Sequence, residues 1–283
     1  MSLLLGYNTN GFAHHRLEDC LSILADLGYG AVALTLDVHH LDPYRSTPRD
    51  VADVRARLDR LGLVPVIETG ARYLLDPRTK HEPTLLSPEP EGRARRLDFL
   101  YRSIDLAAEL GAGAISFWSG RRRPEVDPDQ ARTWLVDGLR RLADRARPRS
   151  IDLAFEPEPG MFVEGMADFE ALDAACGDAT PRLTLDLGHL LLTEPDPIDA
   201  AVRRWADRLV NVHVEDMRRG AHDHLLFGEG EMPFEDILRA LVEVDYRRPM
   251  TVELSRHSHA APEAAARSKA FLDRVLEGLD VPR

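Results

Sequence analysis

Residues 183–216 read LTLDLGHLLLTEPDPIDAAVRRWADRLVNVHVED, and this stretch contains one complete unit of the predicted fold. The short apolar run Leu183–Asp186 has the length and composition of a buried strand, and Leu209–Val214 has the same character. Between them, Ile198–Ala206 carries apolar residues at helical spacing. A strand, a helix and a second strand in this order predict two parallel strands joined by a helical crossover.

The same alternation of short strands and longer amphipathic helices continues toward both ends of the chain. The predicted strands are Leu3–Leu5, Ala31–Leu36, Val64–Glu68, Ala114–Phe117, Ile151–Glu156, Leu183–Asp186, Leu209–Val214 and Met250–Leu254. The predicted helices are Leu17–Leu27, Arg49–Leu61, Gly92–Leu110, Pro128–Ala146, Met166–Ala175, Ile198–Ala206, Phe234–Val244 and Pro262–Leu276. Eight strands in strict alternation with eight helices favour an α/β fold of the closed (β/α)8 TIM-barrel type. No linker divides residues 1–283, which predicts a single domain. A doubly wound open sheet is the alternative, but no glycine-rich fingerprint follows the first strand.

The composition argues against several classes of protein. Apolar residues make up 44% of the 283 residues, which is enough for one barrel-sized core. The formal net charge is −12 and the sequence pI is about 5.4, so the chain lacks the usual electrostatic attraction to nucleic acid. Two cysteines give no disulfide framework. The opening MSLLLG is too short for a signal peptide and no apolar run would span a bilayer, so we expect a cytoplasmic protein without a membrane partner.

Acidic and imidazole side chains collect where the predicted strands end, and in a (β/α)8 barrel these ends form the face that carries the chemistry. The residues concerned are Glu68, Glu156, Asp186, His213 and Glu253. Carboxylates at the mouth of an apolar barrel repel each other and lose hydration, so they need a proton or a cation. Oxygen ligands with one imidazole suit one divalent ion, such as Mn²⁺, Mg²⁺, Co²⁺ or Zn²⁺. Coordination positions left open would accept substrate oxygens.

Five segments of the chain resemble the xylose isomerase-like TIM-barrel superfamily. Within it, they are similar to the sugar phosphate isomerases/epimerases, including ketose 3-epimerases. The segments are LEDCLSILADLGYGAVAL at 17–34, FEPEPG at 155–160, TLDLGH at 184–189, VNVHVED at 210–216 and VEL at 252–254. They lie in the order and on the strands that the family requires, so the resemblance covers most of the chain and supports the predicted barrel.

The resemblance also implies which residues form the site. Its metal ligands would be Glu156, Asp186, His213 and Glu253. Its substrate contacts would be Glu158, His189 and Arg218, with Arg219 as the alternative to Arg218. Separately, Trp118 ends the fourth strand, where its ring would either stack on the apolar face of a sugar or only pack against the protein.

A second segment, HDHLLFGEGEMPF at 222–234, resembles a loop of the apurinic endonucleases of type IV. His224 matches a ligand of their trinuclear zinc site, whereas His222 stands where they carry a carboxylate. The fourth strand ends in Phe117-Trp118-Ser119, without the histidine that those enzymes supply, so the trinuclear site is incomplete. His222 and His224 are either solvated loop residues, or they ligate a second ion or cover the substrate, and we predict a substrate contact for His224.

The function implied by the resemblance is metal-assisted proton transfer next to a carbonyl group. One of Glu156 and Glu253 would remove a proton to give an ene-diolate, and the other would return it. Return to the same carbon epimerises it, and return to the neighbouring carbon interconverts an aldose and a ketose. The predicted partner is a small carbohydrate and not nucleic acid, and the family also admits a homo-oligomer. Three alternatives stay open: a lyase similar to inosose dehydratases, an endonuclease-like phosphodiesterase, and a catalytically silent sugar-binding protein.

Overall fold

Eight parallel strands close into a barrel in the computed structural model, which describes residues 3–279. The barrel strands are β1 (Leu4–Asn8), β2 (Ala31–Thr35), β3 (Val64–Glu68), β4 (Ala114–Phe117), β5 (Asp152–Phe155), β6 (Arg182–Asp186), β7 (Leu209–Val214) and β10 (Pro249–Val252). Around the barrel each strand pairs with its neighbour in chain order, and β10 pairs with β1 to close the ring. The predicted (β/α)8 barrel is therefore confirmed.

Helices connect the strands, and each long one buries a single face. They are α1 (Leu17–Asp26), α2 (Pro48–Leu61), α3 (Pro90–Leu110), α4 (Pro128–Ala146), α5 (Met166–Cys176), α6 (Leu187–Thr193), α7 (Ile198–Trp205), α8 (Phe234–Glu243) and α9 (Ala261–Gly278). In α8 the buried residues Phe234, Ile237, Leu238 and Leu241 recur at helical spacing. Within residues 3–279, no helix is both long and apolar enough to cross a membrane.

The barrel strands are short, apolar and enclosed on both faces, as expected for parallel strands that are covered by helices outside and packed within. All six residues of β7 are buried. The first strand extends beyond the predicted Leu3–Leu5, because it passes through Gly6 and ends at Asn8. A Cβ atom at Gly6 would lie 2.8 Å from Thr251 Cγ2 and 2.9 Å from the Ala31 carbonyl oxygen. This glycine thus permits the close approach of β1 to its two neighbours, rather than ending the strand.

The predicted strict alternation of strands and helices is wrong after β6 and after β7. Two helices, α6 and α7, connect β6 to β7, where one was predicted. Helix α6 has only seven residues, too few to show a helical period. Its N-cap is Asp186, whose side chain accepts a hydrogen bond from His189 N at 2.8 Å. After β7, the predicted loop contains an antiparallel hairpin of β8 (Asp216–Arg218) and β9 (Ala221–Leu225).

Candidate metal centre

The carboxyl ends of four adjacent barrel strands bring three carboxylates and one imidazole together. Strands β5, β6, β7 and β10 are consecutive around the barrel. Glu156 follows β5, Asp186 ends β6, His213 lies in β7, and Glu253 follows β10. One ligand atom from each residue lies within 4.8 Å of those of the other three. The structure therefore assembles at one point the four side chains that the sequence singled out.

The ring of His213 is oriented by a hydrogen bond that it donates to a carboxylate on the opposite side of the barrel. Its Nε2 atom lies 2.9 Å from Oε1 of Glu68, an oxygen that also accepts a hydrogen bond from the side-chain amide of Asn211 at 3.0 Å. Because a carboxylate oxygen only accepts, Nε2 carries the hydrogen and Nδ1 faces the acidic cluster. Nδ1 lies 3.3 Å from Glu156 Oε1 and 3.1 Å from Glu253 Oε2. This is the arrangement of a ligating histidine held by a second carboxylate.

Two ligand atoms of this cluster are buried without a partner, which tests whether the residues fit a cation. Asp186 Oδ2 and His213 Nδ1 have no hydrogen-bond partner among residues 3–279. Each such atom costs about 1–3 kcal/mol unless something satisfies it. Three carboxylates and one imidazole form a donor set that suits Mn²⁺, Mg²⁺, Co²⁺ or Zn²⁺. The cluster, which we call the carboxylate centre, therefore fits one divalent ion.

Burial and crowding shift the pKa values of the acidic groups around the carboxylate centre. Burial raises the pKa of Glu156 to about 8, against the opposing attraction of His213. Burial also raises the pKa values of Glu158 and Glu215 well above their usual range, and neighbouring carboxylates add to both shifts. At Glu253, the effect of burial is outweighed by His213, which lowers the pKa of that carboxyl. In the ion-free chain, part of this crowded charge is therefore neutralised by protons that a cation would displace.

We expect about one Mn²⁺ per chain at the carboxylate centre, with release of protons on binding. Since the pKa of Glu156 is raised to about 8, its carboxyl is protonated at neutral pH and must ionise to become a ligand. Burial lowers the pKa of the His213 imidazole, but Glu68, Glu156 and Glu253 together raise it well above its usual value, so this ring also has a proton to lose on binding. Affinity should therefore rise with pH through neutrality, by about tenfold per pH unit for each displaced proton. Calorimetry in buffers of different ionisation enthalpy measures both quantities.

The variant Asp186→Asn should weaken this binding, because it replaces an ionised ligand with a neutral amide. Asp152→Asn is the matched control, since Asp152 begins β5 at the opposite end of the barrel and pairs with Arg248. If the wild-type protein bound no Mn²⁺ throughout this pH range, the prediction that the carboxylate centre binds a divalent ion would be wrong.

A cluster of three histidines, His189, His222 and His224, lies beside the carboxylate centre. His189 belongs to α6, and the other two project from β9. The hairpin that contains β9 is held by the Asp216 carboxylate, which accepts backbone hydrogen bonds of 2.8–3.2 Å from Met217, Gly228, Gly230 and Met232. A Cβ atom at Gly230 would lie 2.2 Å from Asp216 Oδ1, so glycine is required there. The glycines of the GEG segment thus fix the hairpin and its histidines.

The other predicted substrate contacts, Glu158, Trp118, Arg218 and Arg219, have different surroundings in the structure. Glu158 is half-buried, and its pKa is raised by burial and then by the negative charges of Glu156, Glu253 and Asp186. Trp118 is buried, with the Arg96 guanidinium 4.6 Å from its ring centre and the His81 ring against it edge-to-face. The structure does not bring Arg218 or Arg219 into contact with the four-residue cluster. Arg218 is exposed and donates to the Glu229 carbonyl at 2.6 Å, and Arg219 donates to the Leu191 carbonyl at 3.2 Å.

Three residues around the centre had no role assigned from sequence. Glu68 was noted as a strand-end carboxylate, but its bonds to His213 and Asn211 were not foreseen. Asn10 donates to Glu253 Oε1 at 2.7 Å and orients that carboxylate. Glu215 is fully buried two residues after His213, and this spacing is the one sequence signal that could have placed it on the same side of the chain.

Comparison with known proteins places this chain in a family. A model described as xylose isomerase-like TIM barrel matches residues 21–275. The inosose dehydratase of Lacticaseibacillus casei is 29% identical over 161 residues, which cover 50% of this chain and 54% of that protein. The chain thus spans about half the length of these dehydratases. The L-ribulose-5-phosphate 3-epimerase of Salmonella typhi is 27% identical over 227 residues, which cover 76% of this chain and 78% of that protein.

Solved structures share the same fold at lower identity. An L-ribulose 3-epimerase superposes with a TM-score of 0.80 at 19% identity, covering 98% of this chain and 95% of that chain. The IOLI protein with a binding zinc atom superposes with a TM-score of 0.79 at 16% identity, covering 99% and 100% of the two chains. These likenesses support the fold, and the family model covers most of the sequence. The chain therefore belongs to the xylose isomerase-like TIM barrel family.

Proposed function

We propose that this chain is a divalent-metal-dependent isomerase or epimerase that acts on a small sugar or sugar-like polyol. The observation that carries the proposal is the carboxylate centre, in which Glu156 and Glu253 approach the same nitrogen of His213 at 3.3 and 3.1 Å. A buried and a half-buried carboxylate that converge in this way offer a proton acceptor and a proton donor to one bound molecule. The family membership and the epimerase relative support a carbohydrate substrate.

In the proposed mechanism, Glu156, Asp186, His213 and Glu253 would hold the ion. A divalent cation there supplies Lewis acidity toward a substrate carbonyl oxygen. One of the two glutamates, as a carboxylate, removes the proton from the carbon beside the carbonyl. The other, protonated from the solvent, returns a proton to the ene-diolate of the substrate, and exchange with the solvent then restores both glutamates to their starting states. Glu68 and Asn211 keep the His213 ring in place, and Asn10 holds the Glu253 carboxylate.

The substrate contacts are likewise proposals. His189 lies against the centre, with its Nδ1 3.7 Å from Glu156 Oε1, and His224 is fixed by its Nδ1 at 3.0 Å from the Glu253 carbonyl oxygen. Together with Glu158, these side chains would bind the hydroxyl groups of a sugar. Arg218 would have to leave the Glu229 carbonyl to take part, and Trp118 would contribute only an apolar surface. A homo-oligomer also stays a prediction.

The experiment that tests the proposal is a substrate panel on the Mn²⁺-loaded protein. The panel contains ketoses, their phosphates and inososes, and the products are identified by mass spectrometry and proton NMR. A product of unchanged mass and altered configuration or carbonyl position supports the proposal. A product lighter by one water supports the second candidate, a dehydratase, which the relationship to inosose dehydratase favours. Binding of sugars without any product over long incubation would contradict both.

A further inference from the structure

The connection between β3 and α3, residues 69–89, contains no regular secondary structure, and we call it the β3 loop. It begins at the carboxyl end of β3, on the face of the barrel that carries the carboxylate centre. Its two limbs are joined where the backbone N of His81 donates to the Arg72 carbonyl at 2.6 Å. The ring of His81 packs edge-to-face against Trp118, which follows β4, with the ring centres 5.4 Å apart. Lys80 is therefore held close to Arg72 at the mouth of the barrel.

Arg72 connects the β3 loop to the carboxylate centre. Its Nη2 donates to the Asn10 carbonyl at 2.9 Å, and the side-chain amide of Asn10 donates to Glu253 Oε1 at 2.7 Å. The ion pair of Arg72 with Asp37 is long, with Nη1 3.9 Å from Oδ2. A guanidinium has five N–H donors, and the bond to Asn10 is the one hydrogen bond that this side chain makes among residues 3–279. Arg72 thus has donors left for an acceptor at the rim of the site.

A second cation, Arg96 of α3, is buried beneath the β3 loop. It is 1% exposed, and its guanidinium carbon lies 4.6 Å from the centre of the Trp118 ring. Nη2 donates to the Thr69 carbonyl at 2.8 Å, but Nη1 is buried without a hydrogen-bond partner among residues 3–279. Burial lowers the pKa of Arg96 to about 10, and the opposing Glu82 carboxylate is itself paired with Arg123 at 3.4 Å. A buried positive charge without a close counter-ion favours a negative charge nearby.

The ring of His81 lies where the charges of three cations combine. Burial lowers the pKa of His81 to about 4, its hydrogen bond to Gly70 opposes this shift, and three cations add to it. They are Lys80, Arg96 and Arg72. Since the Gly70 carbonyl oxygen, 2.6 Å from Nδ1, only accepts, Nδ1 carries the hydrogen of a neutral ring. The β3 loop therefore carries a local excess of positive charge beside a mouth that is otherwise rich in carboxylates.

We propose that the β3 loop forms an anion-binding subsite, in which Arg72 and Lys80 bind a phosphate or carboxylate group of the substrate. This inference rests on the proposed function and narrows its substrate class to sugars with an anionic end. Lys80 is exposed, so it can reach a ligand, and its charge opposes the rise that burial causes in the pKa of Glu158. Arg96 is too buried for contact and contributes through its charge. A chain of net charge −12 repels an anionic sugar from most of its surface, so cations at the mouth would attract it there.

Inorganic phosphate tests the subsite without a substrate or a metal. Ion-free protein is titrated with phosphate at neutral pH, and the ring resonances of His81, identified by their loss in His81→Gln, are followed by NMR. We expect a saturable shift, and Lys80→Gln should raise the Kd by about tenfold, the loss of one charge-assisted hydrogen bond. Arg78→Gln, which removes an exposed cation of the same loop, should leave the Kd unchanged. Lys80 is exposed, so its replacement leaves the folded core intact.

A second measurement separates phosphate from carboxylate as the recognised group. Binding of D-fructose, its 6-phosphate and D-fructuronate to the Mn²⁺-loaded protein is compared by calorimetry. At least one of the two anionic ketoses should bind about tenfold more tightly than D-fructose, and Lys80→Gln should remove most of that preference, which direct contact with the ion would not do.

Anionic ketoses that bind no more tightly than D-fructose, or His81 resonances that do not respond to phosphate, would overturn the inference. Either result leaves the Mn²⁺ stoichiometry and the conversion of a neutral ketose unchanged. The failure of this inference is therefore distinguishable from the failure of the proposed function.

Discussion

Glu156→Gln and Glu253→Gln are each expected to lower turnover of the substrate found in the panel by at least about a hundredfold, the smaller end of the loss when a general base is removed. Glutamine keeps the shape of the side chain, but its amide cannot take up a proton at neutral pH. Both carboxylates are proposed to handle the proton in turn, so neither can replace the other. Steady-state kinetics on Mn²⁺-loaded variants measures the loss.

Each of these variants also removes a negative charge from the proposed ion ligands, so the bound metal must be measured in the same samples. If a variant still binds about one Mn²⁺ but turns over slowly, the missing general base, and not a missing ion, is the cause. Glu109→Gln is the control for removal of a carboxylate, since Glu109 is exposed on α3. Near-normal turnover in both Glu156→Gln and Glu253→Gln would contradict the proton-transfer roles of the two residues.

The barrel could be predicted from the sequence because its signal is repeated. Predicted and observed bounds coincide for Val64–Glu68, Ala114–Phe117 and Leu209–Val214, where apolar runs are closed by polar or turn residues. The prediction failed where a local signal was ambiguous. Gly6 resembles the end of a strand, yet it serves close packing against Thr251 and Ala31. The repeated strand–helix pattern therefore predicts the architecture, whereas the roles of single glycines and the presence of short helices require the structure.

The four residues of the carboxylate centre could be singled out because each stands at the end of a strand, and parallel strands bring those ends together. The contact of Glu68 with His213 could not be predicted from the sequence. Three strands separate β3 from β7 in the barrel order, so these two side chains meet only across the barrel interior. The burial of Glu215 depends on Gly188, where a Cβ atom would lie 2.0 Å from Glu215 Oε1. Strand order gives neighbours, but contacts across the barrel require the coordinates.

The three-histidine cluster depends on the two elements that the sequence did not reveal. His189 is positioned by α6, which is too short to be recognised, and the other two histidines by a hairpin that was predicted as a loop. In a loop, His222 and His224 have no defined direction. On β9 they share a face, and the Nε2 atom of His222 lies 3.0 Å from that of His189. The contact of His222 with His189, which brings the hairpin to α6, therefore could be found only in the structure.

The route of the transferred hydrogen separates the proposed mechanism from a hydride shift. In a hydride shift, the hydrogen passes directly between two carbons and never meets the solvent. In proton transfer it rests on a carboxylate, where it exchanges with water before a proton returns to the substrate. The carboxylate centre favours the second route, since both Glu156 and Glu253 contact the same His213 nitrogen and are proposed to face one bound molecule.

Turnover by the Mn²⁺-loaded protein in D₂O is therefore expected to place deuterium on the carbon whose configuration or oxidation level changes. Mass spectrometry at low conversion gives the deuterium content of the product, and proton NMR identifies the labelled carbon. Incubation of the product with Glu156→Gln under the same conditions controls for exchange that does not require catalysis. Product that forms over many turnovers without deuterium would mean that the hydrogen never reaches a carboxylate, and the ene-diolate route would have to be replaced by a hydride shift.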